Sequence, residues 1–203
     1  MIQNIVTSII LYSGTAVDLL IILMLFFAKR KSRKDIINIY LGQFLGSVSL
    51  IFLSLLFAFV LNYIPSKEIL GLLGLIPIFL GLKVLLLGDS DGEAIAKDGL
   101  RKDNKNLIFL VAMITFASCG ADNIGVFVPY FTTLNLANLI VTLLTCLVMI
   151  YLLVFSAQKL AQVPSVGETL EKYSRWFIAV VYLGLGMYIL IENNSFDMLW
   201  AVL

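Results

Sequence analysis

Tyr12 to Phe27 reads YSGTAVDLLIILMLFF, an apolar run with a single carboxylate, Asp18, set well inside it. A spanning helix needs roughly 20 mostly apolar residues, and the run extends from about Asn4 to Ala28, long enough to qualify. The pattern returns 104 residues later. Phe116 to Phe131 reads FASCGADNIGVFVPYF, and when Asp18 is laid over Asp122 the aromatic residues match at both ends. A charged side chain at the middle of a spanning helix costs about 2.5–3.5 kcal/mol on insertion scales. Two such costs at corresponding places need a reason, and intramembrane ionisable residues are functional by default.

The rest of the chain supports a bilayer as solvent. Hydrophobic residues make up 61% and charged residues 13%, and mean hydropathy is +1.02. A soluble domain sits near ~45–50% apolar and ~25% charged, so a water-soluble fold of this size could not hide the excess. Six segments read as spans: Asn4–Ala28, Ile36–Asn62, Ile69–Leu87, Leu107–Phe131, Leu136–Leu160 and Tyr173–Glu192. The N-terminus lacks a basic region and a cleavage site, so it reads as a retained first helix. The polar stretch Gly88 to Asn106 divides the chain into repeats at 1–87 and 107–203 within one membrane domain, 1–203. A second echo joins the third and sixth spans, Leu80–Leu86 (LGLKVLL) and Leu183–Ile189 (LGLGMYI), while the second and fifth show little likeness. An odd number of spans per repeat inverts the halves in the membrane. The expected fold is therefore an all-α integral membrane protein, six transmembrane helices as two inverted repeats of three, with the binding site where the halves meet.

Charge supplies the orientation. Lys29, Arg30, Lys31, Arg33 and Lys34 lie in the first loop, and Lys97, Arg101, Lys102 and Lys105 in the long one. Lys159, Lys172 and Arg175 flank the fifth, whereas the opposite loops hold only Lys67. Positive loops stay in the cytoplasm, so both termini are expected outside. Net charge is +1, which gives no case for nucleic acid. No histidine is present, which removes the commonest metal ligand and general base. Lys83, near the end of the third span, reads as a snorkelling side chain, with pairing to an aspartate as the sharper alternative.

Residues three and four apart share a helix face. Asp18 therefore has Gly14 and Thr15 as neighbours, and Asp122 has Thr115, Ser118, Cys119 and Gly125, with Asn123 adjacent. Two carboxylates balance a divalent cation, and a thiolate shifts the preference toward softer ions. The candidate ligands are Asp18, Asp122, Asn123, Cys119, Thr15 and Ser118. Cys146 has no acidic neighbour and reads as a small buried residue. Gly120, Gly125 and Pro129 leave two readings open for the fourth span, close packing or an unwound segment with free carbonyls. Gly42 to Gly46, GQFLG, reads as a small-xxx-small packing face with Gln43 on it.

At these motifs the sequence resembles the cadmium-resistance transporter family, within the lysine-exporter superfamily of six-helix inverted-repeat transporters. YSGTAVDLLIILMLFF, the KRKSRKD loop, GQFLG and SCGADNIGVFVPYF carry the resemblance, which covers the whole chain. It implies efflux of cadmium, with zinc as the further candidate, across the cell membrane, with Asp18 and Asp122–Asn123 forming the site. The expected partners are the cadmium ion as substrate and the lipid bilayer. The architecture also allows a homodimer. No cofactor is expected. No Walker-type loop is present, so transport should be secondary, by cation/proton antiport.

Two other functions compete. An amino-acid exporter would need partners for its carboxylate and amine, and Lys83 is the only basic candidate set back from a span's end. A membrane thiol-redox enzyme would need adjacent thiols, but Cys119 falls opposite Thr15 rather than a second cysteine. A purely structural subunit leaves both aspartates unexplained. The expectation is therefore a transporter and no enzyme.

Overall fold

The computed structural model describes residues 2–29, 32–61, 67–87, 106–163 and 166–193, and every element among them is helical. In chain order these are α1 (Ile2–Thr15), α2 (Val17–Lys29), α3 (Arg33–Leu61), α4 (Lys67–Leu72), α5 (Leu75–Leu87), α6 (Leu107–Thr132), α7 (Leu136–Leu160) and α8 (Val166–Glu192). The long polar loop, Asn106 excepted, lies outside the described residues. Two asparagines set helix starts. The Asn106 side chain accepts from the Phe109 N–H at 3.4 Å, and that of Asn135 from the Asn138 N–H at 2.9 Å. Each satisfies one of the donors that a helix N-terminus leaves over.

Four helices are long and apolar enough to cross a membrane, or five when α1 and α2 count as one bent span. The four are Arg33–Leu61, Leu107–Thr132, Leu136–Leu160 and Tyr173–Glu192. The third expected span is a shorter apolar pair, α4 and α5, separated at Leu73 and Gly74.

The break in the bundle is not where the glycines and Pro129 of the fourth span left room for one. α6 runs unbroken through Gly120, Gly125 and Pro129. Gly125 lets Leu80 and Ile76 of α5 come close, so it serves packing. The break is in the first span, where α1 and α2 meet at Ala16 with a 57° bend. The local chemistry accounts for it. Gly14, Thr15 and Val17 are weak helix formers. The Thr15 hydroxyl donates back to the Tyr12 carbonyl at 3.2 Å, a local bond that competes with helix continuation. Asp18 then falls in the first turn of α2, where the helix dipole favours a negative charge.

The helices pair in a definite way. α3 packs chiefly on α6, α1 and α2 pack chiefly on α7, and α5 packs chiefly on α8. The closest approaches are made by glycine. Gly42 and Gly46 of α3 press against Ile108, Val111, Ala112 and Thr115 of α6. A Cβ on Gly186 of α8 would stand 2.4 Å from Ile78 and 2.5 Å from the Gly74 carbonyl.

The exterior differs from that of a soluble fold. Large apolar side chains face outward, among them Leu86 at 74%, Leu136 at 73% and Phe79 at 69% exposure. Ser8, Thr15, Gln43, Ser47, Ser54, Thr115, Asn123 and Thr142 are buried. The interior also holds two apolar clusters. One gathers Leu11, Phe127, Phe131, Ile150 and Ile189, and the other Ile22, Phe26, Ile39, Val111 and Val154. A bundle with an oily exterior and polar groups within is suited to lipid.

Candidate cation site

The six expected ligands divide between the bend of the first span and one continuous stretch of α6. Thr15 ends α1, is buried, and is held by its bond to the Tyr12 carbonyl. Asp18 begins α2 and is half-buried. On α6, Asp122 is half-buried, while Cys119 and Asn123 are buried. Asn123 Nδ2 donates to the Cys119 carbonyl at 2.8 Å, and Ser118 Oγ to the Ile114 carbonyl at 2.6 Å. Ser118 Oγ also lies 3.5 Å from Cys119 Sγ. These contacts gather Ser118, Cys119 and Asn123 on neighbouring turns.

The first span touches α6 along both of its segments. Among the described residues, however, no group of three or more Cys, Asp or Glu side chains stands ready to hold a metal. A cavity of about 480 Å³ opens beside the bend, walled by α1, α2, α7 and α8. Its wall is largely apolar, with Tyr12, Ser13, Ser156 and Ser174 among its polar members, and neither aspartate lines it.

Two sets of polar contacts were not expected from the motifs, although Gln43 and Thr115 were each noted on a helix face. Thr115 Oγ1 donates to Gln43 Oε1 at 2.6 Å, and Gln43 Nε2 donates to Ser47 Oγ at 2.8 Å. This chain ties α3 to α6 one turn from Cys119, and Gln43 is fully buried. Its signal was a carboxamide inside the GQFLG face, and the glycines on either side bring α6 near enough to reach it. The second group joins three elements. Ser8 Oγ of α1 donates to Thr142 Oγ1 of α7 at 3.1 Å and lies 3.5 Å from the Tyr130 hydroxyl of α6. Its signal was only hydroxyl residues within apolar runs, which is a weak one.

Lys83 is exposed, in keeping with a side chain that reaches for the interface. Near it, Arg175 of α8 donates to the Leu85 carbonyl of α5.

An apolar exterior, a core that also buries polar side chains, a bent first span and half-buried carboxylates together fit a multi-pass helical membrane protein. A family model described as cadmium resistance transporter matches residues 12–202, nearly the whole chain, and the chain belongs to that family. No curated protein and no solved structure matches it. Membership implies transport rather than catalysis.

Proposed function

We propose that the chain exports cadmium, with zinc as a further substrate, across the cytoplasmic membrane in exchange for protons. The observation that carries this is the placement of Asp18 and Asp122 at corresponding positions in the first span of each half. Two carboxylates neutralise a divalent ion, and Cys119 and Asn123 beside Asp122 add a soft sulfur and an amide oxygen. Thr15 and Ser118 complete the set with hydroxyls. The first span and α6 close on the ion to bring both carboxylates to it.

Six spans in two inverted halves fit this reading. Exchange of the halves replaces α1 and α2 by α6, α3 by α7, and α5 by α8. The α3–α6 pair then becomes the pair of α7 with α1 and α2, and the α5–α8 pair becomes itself. That is the pairing of the bundle, and it supports a repeat that sequence likeness carries weakly in the second and fifth spans.

The coupling follows from the energetics. Moving one charge against the membrane potential costs about 2.3 kcal/mol per 100 mV. A divalent ion leaving a negative interior therefore costs about 4.6 kcal/mol at that voltage, before any concentration gradient. Each aspartate is ionised while it holds metal and takes a proton after the metal leaves. Two protons returning for one divalent ion cancel the voltage cost. Cadmium uptake into inside-out vesicles, with pH and voltage gradients imposed separately, tests the coupling. The pH gradient alone is expected to drive uptake. Uptake that follows voltage and ignores pH would point to a uniport.

A further inference from the structure

The offset that lays Asp18 over Asp122 also lays Ala16 over Gly120. Ala16 is where the first span bends by 57°, whereas α6 passes through Gly120 without a break. The two motifs thus hold one position in two conformations. Packing does not account for the glycine. A Cβ on Gly120 would meet Leu50 at 3.6 Å and Phe116 at 4.0 Å, which are ordinary van der Waals distances. At Gly125, by contrast, it would meet Leu80 at 2.7 Å. Inside a helix glycine is less favourable than alanine, because its backbone has the most freedom to lose. An alanine at 120 would fit and would hold the helix better, so the residue present keeps α6 easy to open at that point.

Two side chains next to Gly120 suit such an opening. Ser118 Oγ donates to the Ile114 carbonyl at 2.6 Å, a back-bond of the kind that often bends helices. Asn123 Nδ2 donates across Gly120 to the Cys119 carbonyl at 2.8 Å. That carbonyl keeps a donor when the backbone bond at this turn is lost. Such cover matters in lipid, where no water replaces a missing partner.

We propose that Gly120 is the hinge of α6, and that the two halves exchange conformations during transport: α6 opens at Gly120 as the first span straightens at Ala16. Opening there leaves Asp122 at the start of a new helical segment, as Asp18 already stands in the first turn of α2. Gly120 is then a positioning residue that acts through Asp122. The inference rests on the transport reading and the inverted repeat, and it adds the second state to them.

Gly120→Ala in the full-length protein is read by both stability and transport. The difference in helix preference between glycine and alanine corresponds to about a fivefold change in an equilibrium constant. Gly120→Ala is therefore expected to unfold at a higher temperature than the wild type, yet to take up cadmium into proteoliposomes about fivefold more slowly. Gly184→Ala in α8 is the control, because a Cβ there meets nothing within 4 Å. It should also raise the unfolding temperature, and it should transport at the wild-type rate. Wild-type uptake by Gly120→Ala overturns the hinge. An equal loss in Gly184→Ala also overturns it, because the loss then follows helix stiffness anywhere in the bundle.

Spin-label pairs test the hinge without the Gly120 variant. Labels at Phe109 and Thr132 span Gly120, and labels at Gln3 and Ala28 span Ala16. The native cysteines are buried and stay in place. A 57° bend shortens a helix of this length by about 4 Å. In lipid nanodiscs with and without cadmium, the α6 pair is expected to show a second distance about 4 Å shorter, and the first-span pair one about 4 Å longer, in matching proportions. A single distance across Gly120 in both conditions overturns the hinge. A wild type that takes up no cadmium refutes the transport reading instead, and the distances then judge the hinge by themselves.

Discussion

Asp18 and Asp122 stood out in the sequence because carboxylates are rare in apolar runs, while Gln43 and Thr115 could be read only as members of helix faces, with no sign that they bond to each other. Polar uncharged residues cost less in lipid and occur there for packing as well as chemistry, so only their partners reveal a role. Gln43 is held between Thr115 and Ser47, a bonded chain that fixes α3 against α6 beside Cys119. Thr115→Val removes the donor to Gln43 Oε1. It is expected to lower stability by about 1 kcal/mol, as interhelical hydrogen bonds in membranes do. Thermal unfolding in detergent measures this, and an unchanged midpoint would show that the bond carries no stability. At Cys119 the prediction concerns selectivity. Cys119→Ser keeps the size and replaces soft sulfur by oxygen, so cadmium transport should fall more than transport of any harder ion the protein accepts. Uptake with a panel of competing ions reads the difference. Equal losses for all ions would leave Cys119 a packing residue.

Span positions were legible wherever hydropathy alone decides them. Leu136–Leu160 was placed at its observed bounds, and α3, α6 and the apolar part of α8 within a few residues of theirs. The bend of the first span was not legible. Hydropathy averages over the backbone, and the run from Asn4 to Ala28 is apolar on both sides of Ala16. What breaks it is a short local series, Gly14–Thr15–Ala16–Val17–Asp18, with Thr15 bonded back to Tyr12. The corresponding part of α6 carries Gly120, Gly125 and Pro129 and stays helical. There, neighbouring helices support proline and glycine in a membrane. The contact of α5 with α8 yields a further prediction. Gly186→Ala places a Cβ 2.5 Å from the Gly74 carbonyl, and overpacking of this kind costs about 1–3 kcal/mol. The variant should unfold at a lower temperature in detergent than the wild type. A variant as stable as the wild type would mean that α5 and α8 are further apart than described.

The whole molecule is a helical bundle with apolar side chains outside and buried polar groups within, and the charge of its loops is expected to set its direction. Both termini are predicted to be extracellular, from the excess of Lys and Arg in the three loops assigned to the cytoplasm. Single cysteines introduced at Gln3 and Asn193, in a background whose native cysteines tolerate replacement, should react with an impermeant thiol reagent on intact cells. Labelling only after lysis would reverse the orientation, and with it the direction assigned to transport. The central claim concerns the two aspartates, and one measurement meets it directly. Cadmium uptake is followed in proteoliposomes that contain equal amounts of wild type, Asp18→Asn or Asp122→Asn. Each variant leaves a divalent ion short of one countercharge in a site of low dielectric constant. Both are therefore predicted to insert normally and take up no cadmium above protein-free liposomes, while uptake at the wild-type rate by either variant would contradict the claim.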